Sequence, residues 1–110
     1  MYSGVPNLAG ASGYTNASWT LKCELTARYV CRLLNHMQRR GLDVCMPVLG
    51  PHDNASTEPF LILTSGYIQR DAAMLPRQGA RAPWRMYQNY LLDLLTLKFA
   101  RLSDGKMRFW

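Results

Sequence analysis

The sequence has no long hydrophobic run. Its 110 residues contain no stretch of about 18 apolar residues, which is the length needed to cross a bilayer. Residues 1–13 also lack the basic and apolar regions that define a secretory signal peptide. The sequence therefore predicts neither a membrane span nor secretion, and we expect a cytoplasmic protein.

Motifs for common catalytic and cofactor chemistry are also missing. No G-x-G-x-x-G fingerprint for dinucleotide phosphates occurs. There is no C-x-x-C pair, no His/Cys cluster and no serine or cysteine nucleophile signature. The three cysteines, Cys23, Cys31 and Cys45, cannot all pair within one chain, and we expect reduced thiols. We predict no catalytic residue and no metal site.

Acidic residues are few. Asp and Glu total 7 against 13 Lys and Arg, which gives a net charge of +6. A basic balance can indicate a nucleic acid, a phosphate-bearing cofactor or an acidic partner. Arg70, Arg77, Arg81 and Arg85 are spread through a turn-rich segment. A solvated surface is the simpler interpretation and contact with a phosphate or a partner is the alternative. No nucleic-acid-binding motif is recognisable, so nucleic acid is not the expected partner.

The strongest local pattern predicts a helix from about Ser18 to Arg40. Thr15, Asn16 and Ser18 are all competent N-cap residues. Basic residues suit the last turn, and Gly41 is a natural stop. Apolar residues at helical spacing predict one buried stripe, formed by Cys23, Ala27, Val30, Leu34 and Met37 with Leu33 beside them.

A second long helix is predicted from Pro83 to about Ala100. Its helical spacing runs through Trp84, Tyr87, Leu91, Leu94, Leu95 and Lys98. Tyr67, Trp84, Tyr87 and Tyr90 could line a substrate pocket, although aromatics at such spacing are more typical of a core.

Shorter elements are predicted between and after these helices. They are an extended piece at Val44–Leu49, a polar loop at 50–59, a short helix from about Gly66 to Met74, a loop at Arg77–Ala82, and a frayed or strand-like end at Lys106–Trp110 after an Asp104-Gly105 turn. The expected chain is mostly α, with two longer helices, one short helix and little sheet.

Two blocks of the sequence resemble one enzyme family. The first block contains PNL at 6–8, GYTNASWTLK at 13–22 and TARYVCRLLN at 26–35. The second contains SGYIQR at 65–70, LPRQG at 75–79 and APWRMYQNY at 82–90. In this order and spacing they resemble the C-terminal end of FAD-containing, NADPH-dependent monooxygenases of Baeyer–Villiger type, especially the mycobacterial kind that activates ethionamide.

The resemblance implies a fragment of an α/β flavoprotein with two dinucleotide-binding domains. Residues 1–41 would be the end of the FAD-binding domain, and residues 42–110 a C-terminal helical extension. The family strand before the flavin is poorly matched, because Leu8–Gly13 holds two glycines and no β-branched residue. The family's catalytic arginine and both phosphate fingerprints are missing. The chain alone is therefore expected to bind neither FAD nor NADPH and to be inactive.

The resemblance also implies a flavin contact at the first helix start. A late helix N-terminus in such enzymes faces the flavin ring, and this maps backbone contacts onto Asn16, Ala17, Ser18 and Trp19. An ordinary capped helix is the alternative. Apolar faces would pack against the missing N-terminal dinucleotide-binding part, or would lead to self-association.

The family function implied is NADPH- and oxygen-dependent oxygenation of ketones or sulfur compounds. An alternative from another class stays open at this point. The chain could be a small basic interaction module without catalysis, binding an acidic partner or RNA through the four arginines named above.

Overall fold

The computed structural model describes residues 1–14, 17–53, 55–59, 66, 70, 71 and 73–110. Two compact units are formed, one from Met1–Gly50 with Tyr87–Trp110 and the other from Pro51–Met86. The expected fragment with two helices and little sheet is confirmed in the described residues, where the helices hold 22 and 10 residues and each strand holds 3 to 5. Neither of these helices has the length and apolarity that crossing a membrane requires.

Helix α1 spans Trp19–Arg40. It ends at Gly41, whose left-handed φ of 62° suits a glycine C-cap. The Gly41 N–H donates to the Gln38 carbonyl and the Leu42 N–H to the Met37 carbonyl, at 3.3 and 3.0 Å. These bonds satisfy carbonyls that the last turn would otherwise leave without partners. The predicted helix and its stop are confirmed.

The buried face of α1 differs from the predicted stripe. Leu33 and Met37 are buried as expected, but Ala27 and Leu34 are exposed. The residues of α1 that are buried are Lys22, Leu25, Leu33 and Met37. The prediction was wrong at Ala27 and Leu34 because it was made from apolar spacing alone, which leaves a buried charged residue out of account. Lys22 is paired with a carboxylate from the second helix, which turns this face of α1 inward.

The C-terminal half of α1 packs on a small two-stranded sheet. Strand β1 (Cys45–Pro47) pairs antiparallel with β4 (Met107–Phe109). The sheet and helix share a core of Leu33, Met37 and Cys45, with Tyr29, Leu42, Leu102, Met107 and Phe109 packed against it. The predicted extended piece and the strand-like C-terminus are therefore confirmed, and they pair with each other.

The N-terminal segment is held along β1 by Asn7. The Asn7 N–H donates to the Cys45 carbonyl, and the Cys45 N–H donates to Asn7 Oδ1, each at 2.9 Å. The Asn7 Nδ2 group also donates to the Asp43 carbonyl at 3.1 Å. None of the described residues 1–14 forms a strand of its own, which agrees with the weak strand propensity of Leu8–Gly13.

Helix α2 spans Tyr90–Phe99, so the predicted start at Pro83 was too early. Residues 84–86 use their backbone groups elsewhere, because the Trp84 carbonyl accepts from Gly79 and the Met86 N–H donates to Gln78 Oε1. Asn89 then caps the helix. Its Oδ1 accepts from the backbone N–H groups of Leu91 and Leu92 at 3.0 and 3.3 Å.

An arginine of α1 holds the end of α2. The Arg32 guanidinium donates to the Leu97 and Ala100 carbonyls at 3.0 and 2.9 Å, and also to the Lys98 carbonyl. These carbonyls are the acceptors that a helix C-terminus leaves unpaired, and they carry partial negative charge. One cation therefore binds the end of α2 to the middle of α1.

The second unit contains strands β2 (Ala55–Pro59) and β3 (Arg77–Gly79), paired antiparallel with an irregular register. The sequence predicted loops at both places. Turn-rich composition was misleading, because the buried Gln78 side chain donates to the Pro59 carbonyl at 3.1 Å and secures the pair. The predicted short helix at Gly66–Met74 includes residues 67–69 and 72, which lie outside the described residues.

The two helix starts predict different responses to alanine. Asn89→Ala removes a side-chain cap and is expected to destabilise α2 by about 1 kcal/mol. The Ser18 side chain accepts no hydrogen bond from the backbone N–H groups at the start of α1 and contacts the exposed Thr20 hydroxyl, so Ser18→Ala is expected to have little effect. Thermal unfolding followed by circular dichroism at 222 nm measures both variants. Equal losses in the two would contradict this assignment of the caps.

Candidate functional site

The predicted contact residues lie at the start of α1. Ala17, Ser18 and Trp19 are exposed there, and the Trp19 side chain is 58% exposed. Asn16 lies outside the described residues. The structure therefore presents three of the four residues together at one helix end, and their role in binding stays a prediction.

The N-cap residue at the start of α1 is the exposed Ser18. Ser18 has φ −58° and ψ 122°, and no side-chain hydrogen bond from it caps the helix. Its hydroxyl instead lies 2.9 Å from the Thr20 hydroxyl. No acidic residue occurs in the first turn. Ser18, one of the three competent N-cap residues, occupies the N-cap position without a side-chain cap, and the positive end of the helix dipole has no carboxylate of its own first turn beside it.

Gly13 allows the chain to approach α1 closely. A Cβ atom placed on Gly13 would overlap the Trp19 indole ring and would come within 2.6 Å of the Trp19 Cα. Because one of these atoms belongs to the backbone, rotation of the indole could not relieve the overlap. Gly13 is also buried. The close approach of residues 13 and 19 therefore requires glycine at position 13.

A buried polar cluster lies directly beside this helix start. Tyr14, Lys22 and Asp93 are 3%, 8% and 5% exposed. The Tyr14 hydroxyl donates to Asp93 Oδ2 at 2.7 Å, and Lys22 Nζ lies 3.1 Å from the same oxygen. Lys22 Nζ also donates to the Tyr87 carbonyl at 3.3 Å and lies 5.1 Å from the centre of the Tyr14 ring. The cluster joins the N-terminal segment, α1 and α2.

The three members of the cluster compensate one another. Burial of a charge is costly unless it is paired and hydrogen-bonded. Here the Lys22 ammonium has a carboxylate, a carbonyl and a ring face as partners. Burial, and then the hydrogen bond and charge of Asp93, raise the pKa of Tyr14 above its ordinary range. Tyr14 therefore remains a neutral hydrogen-bond donor near neutral pH.

Sequence reasoning missed this cluster. Neither Lys22 nor Asp93 is among the site residues that the sequence predicted. The sequence signal is ambiguous, because residues 19–30 carry Lys22, Glu24 and Arg28, and residues 90–99 carry Asp93 and Lys98. A buried charge needs a partner. Only the packing of the two helices selects Lys22 and Asp93 as that pair.

Within the described residues, no group of three or more His, Cys, Asp or Glu side chains could hold a metal ion. Cys23, Cys31 and Cys45 are free thiols. Burial raises the pKa of the Cys45 thiol, which makes it a poor nucleophile.

The four arginines that suggested a basic module are all exposed. Arg85 Nη2 lies 3.8 Å from Glu58 Oε2, and Arg70 Nε donates to the Gly66 carbonyl at 3.3 Å. These are ordinary contacts of a solvated surface. Of the aromatics considered for a pocket, Trp84 is buried against Gly79 and Tyr67 lies outside the described residues.

Gly13→Ala is expected to destabilise the chain by about 1–3 kcal/mol, the usual cost of overpacking a close contact. Gly10→Ala is the matched control, because a Cβ on Gly10 meets only the far end of the Tyr2 side chain, at 3.3 Å. Thermal unfolding of both variants measures the difference. If Gly13→Ala were no worse than Gly10→Ala, the close approach to Trp19 would be disproved.

The chain is similar to named flavin enzymes along nearly its whole length. It is 46% identical over 109 residues to the FAD-containing monooxygenase EthA of Mycobacterium tuberculosis and 43% identical to EthA of Mycolicibacterium smegmatis. It is 47% identical to a protein of Acinetobacter baylyi named "Probable FAD-binding monooxygenase AlmA". Each match covers 99% of this chain and 22% of the relative.

The chain thus spans about a fifth of the length of these curated relatives. No family model matches it, and no solved structure is significantly similar to it. The resemblance found in the sequence motifs is confirmed by identities of 41–47% to FAD-containing monooxygenases. The chain is therefore homologous, over nearly all of its residues, to a segment of the FAD-containing monooxygenases.

Proposed function

We propose that the chain is the C-terminal portion of a flavin-dependent monooxygenase and is inactive alone. The observation that carries this proposal is the identity of 41–47% over 94–99% of the chain to proteins named as FAD-containing or FAD-binding monooxygenases. The parent enzyme would have two dinucleotide-binding domains. Residues 1–41 would complete the FAD-binding domain, and residues 42–110 would form a helical extension.

We propose that the backbone at Asn16, Ala17, Ser18 and Trp19 contacts the flavin ring. Two features of the helix start support this. The first turn of α1 has no side-chain cap from Ser18 and no acidic residue, so its N–H groups suit an electron-rich ring edge. The glycine at position 13 leaves no room for a Cβ beside Trp19, so the backbone can pass close to the site.

Bound FAD would supply the oxygen chemistry of the parent enzyme, with NADPH as reductant and a ketone or sulfur compound as substrate. The residues of this chain would bind and orient the ring. The sequence has no G-x-G-x-x-G fingerprint, so the phosphates of both dinucleotides would be held by the rest of the enzyme. A cytoplasmic location is part of the same proposal.

An apolar face of α2 supports a larger packing partner. Leu91, Leu95 and Phe99, at helical spacing, are 67%, 56% and 68% exposed, and Leu92 is 45% exposed. Contiguous apolar surface of this kind marks an interface. We propose that the dinucleotide-binding part of the parent enzyme covers this face. Without that part, the chain would associate with itself.

The proposal is tested by two preparations. The chain alone is expected to bind no FAD and to oxidise no NADPH. A chimera in which this chain replaces the matched segment of M. tuberculosis EthA is expected to bind FAD, seen in its visible absorption, and to oxidise NADPH. A chain that binds FAD stoichiometrically, or a chimera that folds like EthA but binds none, would refute it.

Two substitutions at Ser18 test the backbone contact in that chimera. Ser18 already has φ −58°, which proline can adopt. Ser18→Pro removes the Ser18 N–H and disfavours the helical region at Ala17. Ser18→Ala keeps the N–H, and no cap is lost. The dissociation constant of FAD is therefore expected to rise more for proline, with circular dichroism confirming equal fold. A larger loss for alanine, or equal affinities, would remove the backbone assignment.

A further inference from the structure

One carboxylate oxygen binds both ends of the segment that contains the proposed flavin contacts. Asp93 Oδ2 accepts from the Tyr14 hydroxyl at 2.7 Å and pairs with Lys22 Nζ at 3.1 Å. Tyr14 precedes residues 16–19 and Lys22 follows them. Asp93 itself lies in the first turn of α2. A group on another helix therefore ties the two ends of segment 14–22 to one atom.

We propose that Asp93 is a positioning residue that fixes the start of α1 through Tyr14 and Lys22. The fixing of the helix start by Asp93 concerns this chain alone. The part that concerns a ligand rests on the proposed flavin contact, since Asp93 would act on the flavin only through the orientation and charge of the helix start.

A purely stabilising role does not explain the choice of residues. Well-packed apolar side chains of similar volume are often as stable as a buried ion pair, or more so. Hydrogen bonds, in contrast, impose direction and distance. Tyr14, Lys22 and Asp93 are each more than nine-tenths buried, so no bulk water competes for these contacts. The use of three polar side chains here therefore indicates that they orient the start of α1 and do more than fill space.

The cluster also sets the charge at the helix start. Lys22 lies three residues after Trp19, one turn into α1. Asp93 neutralises the Lys22 ammonium, and the helix N-terminus then offers mainly the partial charge of its N–H groups. Removing the Asp93 charge would leave a full positive charge there. Positive charge favours the electron-rich reduced form of a bound flavin and raises its midpoint potential.

Three single variants separate these effects. Asp93→Asn removes the carboxylate charge, and Lys22→Met removes the ammonium and keeps an apolar stem. Glu24→Gln is the matched control, because it removes one negative charge of α1 from an exposed pair, in which Glu24 Oε1 lies 2.7 Å from Arg28 Nη2. Exposed pairs of this kind contribute little.

The first measurement is hydrogen exchange of the backbone amides of residues 23–26 in this chain, which lie beyond the first N–H groups of α1 and have carbonyl partners within the helix. Both cluster variants are expected to exchange roughly tenfold faster there than the unmodified chain, because a buried partner is lost. Glu24→Gln is expected to leave the rates unchanged. Unchanged rates in both cluster variants would overturn the positioning role.

The second measurement is the midpoint potential of FAD in the chimera with M. tuberculosis EthA. Asp93→Asn is expected to raise the potential and Lys22→Met to lower it, whereas a loss of structure alone would move both in the same direction. Shifts of the same sign, or shifts no larger than that of Glu24→Gln, would overturn the electrostatic part.

A double variant, Lys22→Met with Asp93→Leu, covers the case in which a single variant unfolds. It removes both charges and keeps an apolar interior. Normal exchange is expected at residues 27–40, with fast exchange persisting at 23–26. Slow exchange at 23–26 in this variant would show that the directional contacts are not needed. An unmodified chimera that binds no FAD would instead refute the proposed function, and the exchange rates would still decide the positioning role.

Discussion

The Asp93 carboxylate is the contact on which the geometry of the candidate site depends. It is buried and accepts from two donors that are distant from it in sequence, Tyr14 and Lys22. A buried carboxylate without donors would be costly, and so would a buried ammonium without an acceptor. The same atom therefore fixes which face of α1 turns inward, where α2 lies against it, and where the N-terminal segment enters.

Two further side chains hold the ends of α2. Arg32 binds the carbonyl end of α2, and Asn89 caps its start. Both ends of a 10-residue helix are thereby satisfied by side chains. A helix of this length is marginally stable by itself. α2 gains little apolar packing here, because Asp93 is the one buried residue in it and several of its leucines are exposed. Polar contacts therefore determine the position of α2.

The same arrangement agrees with a chain that forms one part of a larger enzyme. α2 uses its polar residues to hold α1 and leaves its leucines for a further surface. The relatives are about five times longer than the matched segment, since the match covers 22% of each. We interpret the exposed face of α2 and the open start of α1 as two surfaces of the proposed flavoprotein, one for packing and one for the cofactor.

The sequence by itself determined the family resemblance, the existence and type of both helices, the stop at Gly41 and the pairing-competent C-terminus. These features follow from local chemistry: caps, glycine conformations, apolar spacing and motif order are all carried by neighbouring residues. The start of α2 and strands β2 and β3 were misjudged, because the backbone bonds of Gly79, Trp84 and Met86 depend on partners several residues away.

Only the tertiary structure decided which face of α1 is buried and what holds the predicted contact segment. Apolar spacing assigns charged residues to water, yet Lys22 and Asp93 face inward. Their burial is favourable only because each supplies the opposite charge that the other needs, although they lie 71 positions apart in the sequence. That compensation is a property of two helices in contact. Neither helix sequence contains it alone.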